Sequence, residues 1–249
     1  EIRESEISYD NLLEIDKYML HRLQRLITDV TEAFENYEFH KVIYELNNFC
    51  VIDLSGFYLD ILKDRLYTKA SSVERRAAQY TLYEILVALL KMLSPILSFT
   101  AEEAWQELRK LKVKSGKLKE SVFLEDFPHA NTEYISEELE KNFGIIINIR
   151  DKVNSELEIA RRKDIIHSSL EAKVIIQPDT EDLYNLLKKY EAELVAIFIV
   201  SQVELLLSGT ELKITVLHAD GKKCLRCWNW SVDTDENNLC SRCRKVLNA

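Results

Sequence analysis

Glycine and proline are scarce, at five and three of 249 residues. So low a content excludes collagen-like and low-complexity architectures and leaves a helix-rich protein as the expectation. The glycines, at positions 56, 116, 144, 209 and 221, are scattered, so no glycine-rich loop is present to cradle a nucleotide phosphate. Long apolar runs are missing as well. Stretches such as 144–147 and 194–200 are short and flanked by charge, far below the roughly 18 residues of a membrane span. The opening Glu-Ile-Arg-Glu-Ser-Glu has neither the basic start nor the apolar stretch of a secretory signal. Positive charge is not in surplus: the formal net charge is −9, which excludes a globally basic nucleic-acid binder but leaves local basic patches open. Cysteine is too unevenly placed for a secreted disulfide framework, with four of the five beyond residue 223. A reducing, cytoplasmic setting is therefore expected.

What is present favours helices. The chain is 47% hydrophobic and 30% charged, enough apolar surface to order one large domain or two ordinary ones. Leu12, Ile15, Met19, Leu23, Leu26, Val30 and Ala33 recur every three or four residues and predict a first amphipathic helix. Phe39, Ile43, Leu46, Cys50, Leu54, Phe57 and Ile61 predict a second, with Cys50 as a core residue. A third is expected over 73–93, with Leu82, Leu86, Leu89 and Leu93 inside and a capping box made by Ser71 and Glu74. Ser94-Pro95 interrupts it, and a fourth helix starts at Thr100, boxed by Glu103. Helices joined by short loops pack as an antiparallel bundle. Arg109, Lys110, Lys112, Lys114, Lys117 and Lys119, around Ser115-Gly116, read as an exposed basic linker closed by Phe127-Pro128.

A further long helix is expected from about 135–140 to Arg162, burying Phe143, Ile146, Val153, Leu157 and Ala160. The period then changes. Ala172, Val174 and Ile176 alternate as in a strand, Asp179-Thr180 opens a short helix, and residues 196–200, 203–207 and 212–217 read as further strands. The expected fold is mainly α: an antiparallel helical bundle (residues 1–128), a long helix with a small α+β unit (129–220), and a C-terminal four-cysteine zinc ribbon (221–249).

The strongest chemical signal is Cys224-Leu-Arg-Cys227, twelve intervening residues, then Cys240-Ser-Arg-Cys243. Each CxxC pair can supply two corners of a tetrahedron, and four thiolates close the shell, so the expected metal is one structural zinc. Unliganded core cysteines or a redox pair are the alternatives. Around this motif stand Lys222, Lys223, Arg226, Arg242, Arg244 and Lys245, with Trp228 and Trp230 after the first pair. Indole rings can stack on unpaired bases and arginine can pair with phosphate. Core packing is an equal reading for each Trp, and Trp228, next to Cys227, is the one expected to be structural. A second basic group, Lys63, Arg65 and Lys69 with Arg75 and Arg76, could rim one end of the bundle or be a solvated face with local ion pairs. Catalytic signals are absent: the five histidines show no triad or metal spacing, and Glu102-Glu103 is explained by a helix dipole.

Several stretches resemble bacterial isoleucyl-tRNA synthetases. Asn47-Asn-Phe-Cys-Val-Ile-Asp-Leu-Ser55, Tyr58-Leu-Asp-Ile-Leu-Lys-Asp-Arg-Leu-Tyr-Thr68 and Leu93-Ser-Pro-Ile-Leu-Ser-Phe-Thr-Ala-Glu-Glu-Ala-Trp105 are similar to that family's anticodon-binding bundle. Ser121–Pro128 resembles the exit from the bundle, His167–Val174 the α+β region that follows, and Lys223–Trp228 with Leu239–Cys243 the terminal zinc finger. The finger narrows a match that the bundle alone shares with the valine, leucine and methionine enzymes. The resemblance implies a monomer that recognises the anticodon stem and loop of isoleucine tRNA. The basic and aromatic residues read above offer Lys63, Arg65, Arg75, Arg76, Arg226, Trp228, Trp230 and Arg242 as its candidate RNA contacts. The family's His-Ile-Gly-His and Lys-Met-Ser-Lys-Ser signatures are absent here. The resemblance therefore implies the C-terminal portion of a larger class I enzyme, whose ATP and Mg2+ sites and editing domain lie elsewhere and without which the chain would be inactive. A lesion-processing DNA glycosylase with a similar finger would need an N-terminal nucleophile and acid, which Glu1-Ile2 does not supply.

Overall fold

The computed structural model describes residues 7–67, 72–111 and 118–247. Ser71, Lys69, the linker residues Lys112, Lys114, Ser115, Gly116 and Lys117, and the Glu1-Ile2 start lie outside them. The chain forms two compact units, parted between Glu140 and Lys141. Among the described residues no helix is long and apolar enough to cross a membrane.

The first unit is a helical bundle. Helix α1 (Glu14–Glu35) buries Ile15, Met19, Leu23, Leu26, Val30 and Ala33, the stripe its period draws. Each of these side chains larger than alanine contributes roughly 1.5–3 kcal/mol of transfer free energy. The helix stops without glycine. Tyr37 takes the left-handed conformation (φ 58°) while Glu38 N–H donates to Ala33 O at 2.8 Å and Tyr37 N–H to Phe34 O at 3.1 Å, the paired bonds of a Schellman cap.

The second expected helix is one continuous helical run in three parts: α2 (Phe39–Asn48), a π-helical segment (Phe49–Tyr58) and α3 (Leu59–Leu66). A π turn closes i to i+5, so it rotates the apolar stripe out of the 3.6 period. Val42, Leu46, Phe49, Leu54, Phe57, Tyr58, Ile61 and Leu62 are buried, whereas Phe39 and Ile43 are exposed and Cys50 is only half-buried.

Helix α4 (Val73–Leu93) has the predicted bounds. Its cap is Ser72, whose side chain accepts from Arg75 N–H at 3.1 Å. Its buried face is carried by Ala77, Ala78, Thr81, Ile85, Ala88, Leu89 and Met92, and Leu86 turns outward. Helix α5 (Ser98–Lys110) starts two residues before the predicted Thr100, with Leu97 at a cap that makes no side-chain bond. Glu102 does more than offset a dipole. It accepts from Ser121 Oγ at 2.9 Å and Val122 N–H at 3.0 Å, and with the fully buried Trp105, whose Nε1–H donates to Lys119 O, it holds the returning segment over α4 and α5.

Two buried polar groups tie distant segments of this unit. Asp16, fully enclosed, accepts from Tyr58 Oη at 2.7 Å and from both terminal nitrogens of Arg65 at 2.9 and 2.6 Å. His21, also enclosed, accepts the Ser136 N–H at Nδ1, which places its own proton on Nε2, 3.6 Å from Glu140.

In the second unit, helix α6 (Glu137–Arg162) presents Phe143, Ile146, Val153, Leu157 and Ala160 as predicted, all buried. Strand β1 (Ala172–Gln177) is central in a three-stranded mixed sheet, parallel to β2 (Gln202–Leu205) and antiparallel to β3 (Lys213–His218). Ala172, Val174 and Ile176 are fully buried, and Val174 faces Val203 on one side and Val216 on the other. Helix α7 (Glu181–Lys189) starts at Thr180, whose hydroxyl accepts from Leu183 N–H. The strand expected at 196–200 is instead the end of helix α8 (Glu191–Phe198). Its apolar run is compatible with a buried helix turn or a strand, and the first turn, with Glu191 and Glu193, favours helix. Ile199 (φ 55°) then caps it in the left-handed region, with Val200 N–H on Val195 O.

Candidate metal centre and nucleic-acid interface

The four cysteines are brought together by two turns. The strand pair β4 (Lys222–Lys223) and β5 (Trp230–Ser231) forms a short antiparallel hairpin, with Lys222 opposite Ser231 and Lys223 opposite Trp230. At its base Gly221 has φ 92°, and a Cβ there would lie 2.2 Å from Ser231 O, so only glycine fits. Between the strands, Cys224 N–H donates to Asn229 O at 2.8 Å and Trp228 N–H to Cys224 O at 2.9 Å, with Trp228 left-handed at φ 66°. The second pair is set by Asp235, whose carboxylate accepts from Asn237 and Leu239 N–H, before helix α9 (Ser241–Leu247) carries Cys243.

The four Sγ atoms lie within 4.8 Å of one another. Cys227 and Cys240 are 3.8 Å apart, too far for a disulfide and equal to the edge of a tetrahedron with zinc–sulfur bonds of about 2.3 Å. Cys240 N–H points at Cys224 Sγ (3.4 Å) and Arg226 Nη1 at Cys243 Sγ (3.6 Å), contacts that suit thiolates. Burial raises the Cys224 thiol, but the backbone N–H groups of Cys227, Cys240 and Arg226 outweigh it and bring it down to about 6. Cys243 is driven the other way, by burial first, to about 12 despite Arg226, and burial raises Cys240 as well. A cation among the four sulfurs would let all of them ionise together. The donor set fits a zinc ion, and a closed four-sulfur shell leaves no position for a reacting water.

The surface around this centre divides the two indoles, opposite to the expectation. Trp228 is 61% exposed, with Lys223 Nζ 5.5 Å from its ring centroid. Trp230 is the structural one. Its ring meets His218 edge-on at 4.5 Å, its backbone N–H donates to Ser201 Oγ at 2.7 Å, and its Nε1 is buried. A next-residue argument could not find this, because the left-handed turn at Trp228 swings that side chain away from the sulfurs. Arg226, Arg242, Lys222 and Lys223 are exposed, while Arg244 turns inward to Leu239 O.

The bundle's predicted basic rim is divided too. Arg65 is the half-buried partner of the enclosed Asp16, and its Nη2 also donates to Glu74 O at 2.8 Å. Lys63 is exposed and paired with Asp60, and Arg75 and Arg76 are half-buried, with Arg76 donating to Gln79. Asp16 and Tyr58 escaped sequence reasoning, although Asp16 stands four and seven residues before the buried Leu20 and Leu23 and so on the apolar stripe.

Among the described residues the chain combines a helical bundle, a mixed sheet and a knuckle of four clustered cysteines. Residues 16–176 match the family model described as the anticodon-binding domain of tRNA ligase, and the chain belongs to that family. The match runs past the bundle, through α6 and almost to the end of β1. The chain is 43% identical to an isoleucine–tRNA ligase of Natranaerobius thermophilus, over 97% of its own length and 27% of that protein's. It is 44% identical to the Persephonella marina isoleucine–tRNA ligase and 42% identical to that of Kosmotoga olearia, each over 97% of this chain. It thus spans about a quarter of the length of these relatives.

Proposed function

We propose that this chain is the tRNA-recognising C-terminal part of an isoleucine–tRNA ligase, reading the anticodon stem and loop of isoleucine tRNA. The observation that carries the reading is that an anticodon-binding family match over residues 16–176 and likeness to isoleucine–tRNA ligases over 97% of the chain coincide in one molecule that also holds the four-cysteine centre. Cys224, Cys227, Cys240 and Cys243 hold one structural zinc. Arg226 and Arg242 meet phosphates, and the exposed ring of Trp228 stacks on an unpaired base. Lys63, Arg75 and Arg76 offer cations on the bundle, whereas Arg65 and Trp230 support the surface from inside. In the whole enzyme, a cytoplasmic monomer of class I, ATP and Mg2+ belong to a catalytic core outside this chain. Binding energy gathered here orients the acceptor end for aminoacylation there, so the chain alone does not charge tRNA.

Filter binding of the zinc-loaded chain across a salt series, with tRNAs of different anticodons, tests this. Preference for the isoleucine anticodon and a steep fall with salt are expected. Trp228→Ala should weaken binding about tenfold, from the loss of one stacked base, with zinc content unchanged. Binding that ignores both salt and anticodon, together with a neutral Trp228→Ala, would sink the proposal.

A further inference from the structure

The zinc knuckle closes on itself through its four sulfurs and the β4–β5 pair. None of those contacts fixes where its exposed face points. That direction is set by side chains on the edge strand β2 and the residue before it. The Ser201 hydroxyl uses both of its capacities: it accepts the Trp230 N–H at 2.7 Å and donates to Leu170 O, while Ser201 N–H donates to Ala172 O at 3.2 Å. Backbone on the β1 side and backbone of the zinc hairpin are thus joined through one oxygen.

The Gln202 side chain does the same for the connection that enters the knuckle. Its amide donates to Asp220 O and accepts from Asp220 N–H, both at 3.0 Å, reproducing in one side chain the two bonds of a strand pair. Ala219 N–H on Glu171 O (2.7 Å) and Lys173 Nζ on Asp220 (3.2 Å) hold the same short connection, and Gly221 follows at once. The His218 ring against Trp230 adds the only aromatic contact of the joint among the described residues.

We infer that Ser201 and Gln202 are positioning residues that lock the zinc knuckle to the β2–β1–β3 sheet, so that Arg226, Trp228 and Arg242 are presented to RNA in one fixed direction. Neither side chain touches a cysteine sulfur, so metal binding does not require them. A fixed orientation matters because contacts to a base and to phosphates must be met together, and a knuckle free to swing loses that ordering on binding. The RNA half of this inference rests on the proposed function; the joint itself does not.

The test uses the whole zinc-loaded chain as wild type, Ser201→Ala/Gln202→Ala, the conservative Ser201→Thr, and Gln202→Glu, a milder change that keeps the acceptor and removes the donor. Zinc stoichiometry, residual dipolar couplings of amides in 172–177 and 222–247, and tRNA affinity are measured on each. In the double variant zinc should stay at one per chain and the sheet couplings should be unchanged. The knuckle couplings should shrink, and affinity should fall about tenfold. Ser201→Thr should restore both readouts relative to alanine, and Gln202→Glu should lie between. Unchanged knuckle couplings in the double variant and in Gln202→Glu overturn the joint. Shrunken couplings with wild-type affinity overturn its role in RNA binding. A wild-type chain that does not bind tRNA while the variants still loosen the knuckle overturns the proposed function and leaves the joint standing.

Discussion

In the bundle, α1 alone contributes Ile15, Met19, Leu20, Leu23, Leu26, Ile27 and Val30 to the buried interior, and α2 and α4 pack against it. From residue 222 to 247 the buried side chains are Cys224, Cys240 and Cys243, with Cys227 and Leu239 half-buried beside them. The first region is folded by hydrocarbon leaving water, whereas the second has little apolar interior beyond four clustered cysteines that could hold a metal ion. The contrast teaches where each region is vulnerable. Apolar burial is spread over many side chains and yields gradually, whereas a four-ligand shell is lost as a unit.

Metal removal should separate the two most sharply. Apparent zinc binding energies of roughly 10–16 kcal/mol are folding energy for such knuckles. Chelation or Cys224→Ser should therefore abolish amide protection over 222–247 while the bundle melts as before. Loss of protection in α1 and α4 as well would show that the two regions fold together.

The converse break is Asp16→Ala, which leaves Arg65 and Tyr58 without their shared buried acceptor. Removing one partner of an enclosed ion pair costs about 3–5 kcal/mol. Urea unfolding followed at Trp105, with zinc release measured in parallel, should show a destabilised bundle and an unchanged metal centre.

A pH dependence sharpens the comparison. Burial lowers the His21 imidazole, with Glu140 opposing and Arg25 and Arg22 adding to the fall. A folded pKa below the unfolded one means that the unfolded chain takes up protons first. His21 therefore stabilises the bundle fully above the unfolded value of about 6.5, and that contribution is lost as pH falls through the folded value. The slope for one proton cannot exceed about 1.4 kcal/mol per pH unit. His21→Asn should flatten the bundle's stability between pH 7 and pH 5.5, roughly the histidine range. An unaltered profile would assign the dependence elsewhere. The smallest effect expected is Ser72→Ala, about 1 kcal/mol from the lost α4 cap, seen as a lower urea midpoint with zinc content constant.

The legible parts of the fold are those where one period persists. Helices α1 and α6 and strand β1 bury the faces that their apolar spacing draws, because one period persists over each, whereas α4 has the expected bounds but buries other residues than the leucine stripe. Some misreadings fall where the backbone leaves the regular period: Cys50, in the π-helical segment, is half-buried where a 3.6 period puts it inside, and α8 ends at Ile199 in the left-handed region, a conformation β-branched residues seldom adopt. Others do not, since Phe39 and Ile43 are exposed within the regular helix α2. A chain so poor in glycine stops its helices with Tyr37, Asp164 and Ile199, none of which is a stop signal.

By itself, the sequence determined the mainly helical composition and the two CxxC pairs that could hold a metal, since residue type and spacing suffice for amphipathic faces and for a ligand set. Which tryptophan faces solvent, and whether Arg65 is a surface cation or the partner of Asp16, were decided by tertiary structure alone. Each depends on a group distant in the chain, such as Ser201 and His218 for Trp230 or Tyr58 for Asp16, or on a single left-handed residue that reverses where a side chain points. Local periodicity carries no record of either.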